Sequence, residues 1–150
     1  MIADILLVLS CGTLGIFLGT QLAEAILFVP YWKALSADEF FQHHQAFGKK
    51  IYRFFAPLTL AATLIPLLTL GYMAITQADN LILFGLMGFS TLAFFSTYFL
   101  YFKQANKSFA ERSLSDEELP RELERWGNWH WGRICFELIA FGCALLLLVI

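Results

Sequence analysis

Four long runs of apolar residues, separated by polar segments, organise the sequence. Glu24 and Glu137 are the only charged residues within the first and last runs, and the two runs between them, residues 54–78 and 80–102, contain none. A helix needs about 20 apolar residues to cross a hydrocarbon core about 30 Å thick, since each residue adds about 1.5 Å. We therefore predict one integral membrane domain over residues 1–150, with spans near 5–30, 53–76, 81–102 and 130–150.

The pattern inside the runs predicts helices. Strict alternation of apolar and polar positions is absent, and the runs are too long for the strands of about ten residues that build a membrane barrel. The predicted fold class is therefore all-α, a four-transmembrane-helix bundle. Helix-start signals also occur in the loops, with a capping-box spacing at Ser36 and Glu39 and acidic residues after Ser115. These signals predict short interfacial helices in the first and third loops.

Composition supports a membrane protein and excludes several other classes. Of the 150 residues, 59% are hydrophobic and 15% are charged, which is too apolar for an ordinary soluble or disordered chain. A net charge of −2 gives no basic surface for nucleic acid. The three cysteines lie in apolar runs without the spacing of a metal or redox pair, so they are predicted to pack as small side chains.

The distribution of basic residues predicts the orientation. The second loop and both termini contain no Lys or Arg, and the N-terminus lacks the basic start of a cleavable signal. Because basic loops stay in the cytoplasm, we expect a cytoplasmic (inner) membrane protein with the first and third loops inside and both termini outside. All ten basic residues flank those two loops: Lys33, Lys49, Lys50, Arg53, Lys103, Lys107, Arg112, Arg121, Arg125 and Arg133.

Two acids lie within the predicted spans at matching depths. Glu24 is six residues before Pro30 and Glu137 is six residues after Trp131, so each lies about 9 Å below the cytoplasmic interface. Intramembrane carboxylates are costly and usually face the bundle interior, where they mark a functional site. For Glu137 an ion pair with Arg133, four residues earlier on the same face, is an equally good structural explanation.

The start of the fourth span carries the densest group of candidate residues. Trp126, His130, Arg133 and Glu137 follow one another at intervals of four, three and four residues, so they share one helix face. That face offers an aromatic plate, a titratable base, a fixed cation and a carboxylate. The catalytic candidates are therefore His130, Arg133, Glu24 and Glu137, while a purely structural hydrogen-bonded role for His130 stays open.

Aromatic residues are concentrated at the predicted cytoplasmic edge. Rings bind planar molecules by stacking, so the excess predicts a pocket for a flat lipophilic ligand. An interfacial anchor made of the same rings is the alternative. The ligand-binding candidates are Gln21 on the polar side of the first span, His44 on the apolar side of the first loop, and Trp32, Trp126 and Trp129.

Conventional cofactor motifs are absent from the sequence. No glycine-rich phosphate loop, CxxC pair, HExxH motif or Glu-xx-His motif occurs. A metal site of Glu24, His44, His130 and Glu137 would require the loop helix to fold inward, and haem held by His44 and His130 has equally thin support. No metal is predicted, and the identity of any cofactor stays open.

The sequence resembles the anthrone-oxygenase-like family of small four-span membrane proteins, long catalogued as a domain of unknown function, over nearly its whole length. The resemblance rests on Val29-Pro30 ending the glycine-containing first span, Asn106 after the third, and Trp126, His130 and Arg133 opening the fourth. It implies oxidation of anthrones to anthraquinones by molecular oxygen without flavin or haem. It also nominates Asn106, Trp126, His130 and Arg133 as site residues, although the Tyr-Phe-Lys-Gln-Ala stretch before Asn106 departs from the family pattern.

Two functional hypotheses follow. In the first, the chain is a cofactor-independent oxygenase of anthrones, phenols or quinols, in which His130 or Glu24 abstracts a proton, Arg133 stabilises the oxyanion and the tryptophans hold the ring. In the second, it is a non-enzymatic quinone-, pigment- or lipid-binding accessory subunit of a larger membrane complex. A proton-coupled transporter is disfavoured because inverted repeats are absent. The expected partners are the bilayer, a planar lipophilic molecule, and either a second copy of the chain or another membrane subunit.

Overall fold

Four continuous helical rods make up the protein. A computed structural model describes all residues, 1–150, and contains no strand. Two π-helical turns, Glu24–Phe28 and Tyr98–Phe102, join α1 to α2 and α4 to α5 without a break. The α-helices are α1 (Ile2–Ala23), α2 (Val29–Ala34), α3 (Ala37–Ile75), α4 (Leu81–Thr97), α5 (Lys103–Ala110) and α6 (Leu119–Val149).

Each rod is long and apolar enough to cross a membrane. The rods span 33, 39, 30 and 31 residues in chain order, and at about 1.5 Å per residue all of them exceed a hydrocarbon core about 30 Å thick. The predicted all-α four-helix bundle is confirmed, and the rods fit an integral membrane protein. Each predicted span lies within one rod, apart from Thr76 and Ile150 at two span ends.

Separate interfacial helices in the loops are not confirmed. The capping box at Ser36 forms as predicted, with the Ser36 N–H donating to Glu39 Oε2 at 2.9 Å and the Glu39 N–H donating to Ser36 Oγ at 3.4 Å. The helix that it begins, however, is α3 itself, which continues without interruption from Ala37 to Ile75, with no proline before Pro57. In the third loop, α5 prolongs the third rod and α6 begins at Leu119.

The first π turn has a cause in the sequence. Pro30 has no N–H and cannot donate to the carbonyl of Ile26, so the α-helical ladder loses a bond at that point. The N–H of Val29 bonds to the carbonyl of Glu24, five residues earlier, as a π turn requires. In the second turn the N–H of Lys103 bonds in the same way to the carbonyl of Tyr98.

The rods are arranged so that α6 packs against α1 and α4, and α3 packs against the same two helices. We call the end with the loops at residues 35–36 and 111–118 the basic end, because nine of the ten Lys and Arg lie in the half of the rods next to it and the tenth, Arg112, lies in its second loop. Both termini and the turn at residues 76–80 lie at the opposite end. Two large apolar cores form, one containing Phe17, Phe94 and Ala140 and one containing Trp126 and Phe102, and a third apolar cluster is small, with Leu18, Ala25 and Ile134.

Small and polar side chains fix close contacts between the rods. At Gly15 an added Cβ would lie 2.9 Å from the ring of Phe141, so α1 and α6 approach closely there. The hydroxyl oxygens of Ser10 and Thr69 are 2.8 Å apart in a fully buried contact between α1 and α3. Packing and hydrogen bonds of this kind hold helices together inside lipid, where apolar burial gives little driving force.

Candidate functional site

A buried group of polar side chains lies between α6 and the first rod, and we call it the buried cluster. Four of its members are almost fully enclosed, with exposed fractions of 1% for Gln21, 5% for Glu24, 0% for His130 and 1% for Glu137. The fifth, Arg133, keeps 13% of its side chain exposed. In every rod that contributes to it, the cluster falls in sequence between the residues of the two large apolar cores. It therefore forms a polar layer within an otherwise apolar bundle.

His130 has both ring nitrogens occupied. Its Nε2 lies 2.9 Å from the backbone carbonyl oxygen of Gln21, and its Nδ1 lies 2.7 Å from Nη2 of Arg133. A carbonyl oxygen only accepts and a guanidinium only donates, so Nε2 carries the proton and Nδ1 presents its lone pair. The ring is therefore the neutral Nε2–H tautomer and has no free lone pair for a substrate.

Arg133 is shared by two carboxyl groups from different helices. Its Nη2 lies 3.8 Å from Glu24 Oε2 and its Nε lies 3.7 Å from Glu137 Oε1. Nη2 also donates to the side-chain oxygen of Gln21. Glu24 and Glu137, which were predicted to lie at the same depth, thus both lie within 4 Å of one guanidinium group.

Glu137 has no hydrogen-bond partner for either carboxylate oxygen, although both atoms are buried. Nε of Arg133, which faces it, has none either. Buried polar atoms are nearly always paired, so an unpaired carboxyl deserves a specific explanation. When both acids are ionised, two negative charges face one guanidinium, and the set has an excess charge of −1.

An aromatic wall covers the cluster on the side of the basic end. Trp126 stacks on His130, with ring centroids 4.9 Å apart and an interplanar angle of 22°. Its indole Nε1 donates to Asn106 Oδ1 at 3.0 Å, which fixes the ring plane. Trp32 meets the same ring edge-on at 5.7 Å. Asn106 and Trp32 therefore reach the cluster through Trp126.

Two predicted ligand-binding residues lie away from the cluster. His44 packs against Phe40 and Phe109, with ring centroids 5.9 Å apart in both cases, because the first half of α3 lies along α5. Trp129 stacks on Tyr101 at 5.1 Å and is partly exposed on the outer side of α6. The structure does not bring either residue to His130, so the predicted set divides into two groups.

The donor atoms present do not favour a metal or haem site. No group of three or more His, Cys, Asp and Glu side chains is arranged to hold a metal ion. Haem ligation by His44 and His130 conflicts with the contacts of both residues, since the nitrogens of His130 are occupied and His44 packs on Phe109. The arrangement suits proton transfer and anion stabilisation, with carboxyl groups beside a fixed cation.

Some contacts that shape the site have no signal in the sequence. The guanidinium carbon of Arg133 lies 4.4 Å from the ring centroid of Phe102, the last residue of the second π turn. Phe102 is one of 16 phenylalanines and has no distinguishing local signal. The ion pair of Lys33 with Glu124, at 2.5 Å, also joins residues that are remote in sequence.

No protein-family model, curated protein or solved structure matches the chain. Four of the predicted site residues, Asn106, Trp126, His130 and Arg133, form one unbroken series of contacts. Asn106 accepts from Trp126, Trp126 stacks on His130, and His130 accepts from Arg133. This geometry is the basis for a functional proposal.

Proposed function

We propose that the chain is a membrane oxygenase that acts on planar lipophilic anthrones, phenols or quinols without a bound redox cofactor. The observation that carries the proposal is the shared guanidinium of Arg133 between Glu24 and Glu137, of which Glu137 lacks any hydrogen-bond donor. A carboxylate in that state is a ready proton acceptor, and the cation beside it can stabilise a developing oxyanion.

The carboxyl groups act as the base in this proposal. His130 has its Nδ1 lone pair engaged by Arg133, so its role is to orient the guanidinium rather than to accept the substrate proton. When Glu24 or Glu137 takes up one proton, the excess charge of −1 on Glu24, Glu137 and Arg133 is removed. Arg133 then pairs with the enolate oxygen, and Trp126 supports the ring by stacking.

Molecular oxygen is the oxidant. Deprotonation of an anthrone gives an electron-rich enolate, and its methylene carbon is oxidised by oxygen to a carbonyl. One oxygen atom enters the product and the other leaves as water with the two hydrogens of that carbon, so anthrone and oxygen give anthraquinone and water. The balance requires no external reductant.

A non-enzymatic quinone-, pigment- or lipid-binding accessory subunit is the second candidate, and a specific observation favours it. Two surface pockets occur at the basic end, of about 650 and 240 Å³, and neither is lined by a residue of the buried cluster. In this candidate the cluster fixes the helices, and a partner subunit supplies any chemistry.

Oxygen consumption by the purified chain in lipid nanodiscs separates the two candidates. Anthrone and a hydroquinone serve as probes, and the wild type is compared with Glu137→Gln, Glu24→Gln and the exposed control Glu117→Gln. Loss of a general base lowers the rate by about 10²- to 10⁴-fold, so we expect that loss in at least one cluster variant and none in the control. Absence of oxygen uptake in the wild type, or full activity in both cluster variants, contradicts the oxygenase.

We also infer that the basic end faces the cytoplasm and that both termini lie outside. Support comes from the ten basic residues, nine of which lie in the half of the rods next to that end and one, Arg112, in its loop. In a background where the native cysteines are replaced by alanine, Gln77→Cys should react with an impermeant maleimide in intact cells. Ser113→Cys should react only after permeabilisation, and the reverse pattern would exclude this orientation.

A further inference from the structure

A shallow, widely open surface depression of about 650 Å³ lies on the outer side of α6 at the basic end. It is separate from the buried cluster, since none of its lining residues belongs to that cluster. All of the lining side chains come from the first three turns of one helix, and we call this surface the α6 groove. They are Pro120, Arg121, Glu124, Arg125, Asn128 and Trp129.

The α6 groove has two uncompensated positive charges. Neither Arg121 nor Arg125 lies in an ion pair, whereas the one acid in the groove, Glu124, is bound by Lys33 at 2.5 Å. The guanidinium of Arg125 lies 5.1 Å from the ring centroid of Tyr101, which keeps it in place without neutralising it. The lining side chains therefore sum to +1, and the pairing of Glu124 with Lys33 leaves Arg121 and Arg125 as the two charges of the groove without an ion-pair partner.

Four further acids lie beside the groove, namely Asp116, Glu117, Glu118 and Glu122, and other contacts engage the last two. One carboxylate oxygen of Glu118 accepts the backbone N–H of Ser115 at 2.9 Å, and one of Glu122 accepts the hydroxyl of Tyr101 at 2.7 Å. None of the four forms an ion pair with an arginine of the groove. Both guanidinium groups thus have no carboxylate oxygen within 4 Å and can bind an anion from outside.

The surface directly below the groove is apolar and exposed. On the outer side of α6, Trp131 is 47% exposed, Leu138 48% and Ile139 43%, which is typical of a face that contacts lipid chains. Arg125 lies six residues before Trp131, so it is about 9 Å further along the axis toward the basic end. Tryptophan marks the edge of the hydrocarbon, which places the guanidinium in the headgroup layer.

We propose that the α6 groove is a binding site for an anionic phospholipid. The headgroup phosphate binds Arg121 and Arg125, and the acyl chains lie along the exposed apolar side of α6. Guanidinium groups bind phosphate oxygens in pairs, and an indole N–H at the interface adds a donor from Trp129. The headgroup of a zwitterionic lipid carries a positively charged ammonium group next to its phosphate. The two arginines repel that group, so the groove binds an anionic lipid in preference.

Native mass spectrometry of the full-length protein, released from nanodiscs of equal phosphatidylglycerol and phosphatidylcholine content, tests the proposal. The wild type should retain phosphatidylglycerol preferentially. A basic side chain near the surface contributes about 1 kcal/mol to binding of anionic lipid, so each arginine removed should weaken retention about fivefold. The double variant Arg121→Gln/Arg125→Gln should therefore lose most of the adduct, whereas Lys49→Gln/Lys50→Gln, which removes exposed lysines of α3 at the same end, should keep it.

A second variant leaves both arginines in place. Asn128→Glu adds a negative charge to the exposed surface of the groove and should also lower retention, with the helical circular dichroism unchanged. Inorganic phosphate at the same concentration as the lipid should not displace the adduct, because it has no acyl chains. Unchanged retention in both groove variants, equal loss in the lysine control, or displacement by phosphate overturns the proposal.

Discussion

Arg133 donates to Nδ1 of His130 at 2.7 Å, and the opposite nitrogen of the same ring faces the carbonyl oxygen of Gln21 at 2.9 Å. The two residues are three positions apart on α6, so the guanidinium and the imidazole hold each other's orientation. The imidazole in turn contacts α1 through the Gln21 carbonyl. The imidazole, one of the predicted bases, therefore supports the cation. In the proposed oxygenase, proton transfer then belongs to the two carboxyl groups that share that cation.

Removal of Arg133 should be the most damaging single change in the buried cluster. Arg133→Met leaves Glu24 and Glu137 without a counter-charge, and breaking a buried ion pair in this way costs about 3–5 kcal/mol. Unfolding by SDS titration in mixed micelles measures the loss. Adding Glu24→Gln and Glu137→Gln to the same chain should recover most of it, and equal stability of Arg133→Met and wild type would contradict the charge balance described here.

Glu137→Leu, in contrast to Arg133→Met, should not lower the free energy of unfolding. The substitution removes a carboxyl group that has no hydrogen bonds and leaves Arg133 paired with Glu24. We expect unfolding free energy to stay within about 1 kcal/mol of wild type or to rise, as when apolar side chains replace buried charges, while the proposed oxygenase activity is lost. A loss of more than about 3 kcal/mol would mean that Glu137 is a structural partner of Arg133.

The hydrogen bond between Trp126 and Asn106 can be isolated by a double-mutant cycle. Trp126→Phe keeps an aromatic ring above His130 but removes the indole N–H, and Asn106→Leu removes the acceptor. The two changes together should cost less than the sum of the single ones, with a coupling energy of about 1 kcal/mol in unfolding experiments. Strict additivity would show that the 3.0 Å contact contributes nothing.

The glycines of α1 provide a matched pair for a packing test. Gly15→Ala brings a methyl group to 2.9 Å from the ring of Phe141, whereas Gly19 has nothing within 4 Å of its added Cβ. Overpacking should destabilise the Gly15 variant by about 1–3 kcal/mol. Gly19→Ala should be neutral or stabilising by up to about 1 kcal/mol, because alanine is the better helix former. Equal effects in the two variants would contradict the close approach of α1 and α6.

The features that the sequence predicted lie along single helices. The four apolar runs identify the rods, and the spacing of Trp126, His130, Arg133 and Glu137 places them on one face because a helix has a fixed period. Contacts between rods were not predictable in the same way. They depend on the rotation of each helix about its axis, and so the roles of Phe102 and of the Gln21 carbonyl had no local signal.

The two candidates that lie away from the buried cluster, His44 and Trp129, illustrate the same limit. His44 shares an apolar face with Phe40, as its spacing indicates, but that face packs on Phe109 of α5. Trp129 belongs to the aromatic group in sequence, yet it lies one position off the face that contains His130 and stacks on Tyr101 instead. Local composition identified both as candidates, and only the arrangement of the rods separates them from the cluster.

The two π turns alter the phase of the rods that contain them. A π turn holds an extra residue, so side chains after Phe28 and after Phe102 are rotated by about 100° relative to an uninterrupted α-helix. Deleting one residue from either turn should restore a regular helix and carry Trp32 or Asn106 off its present face. A relative without these turns would align with this chain only through single-residue gaps at both places.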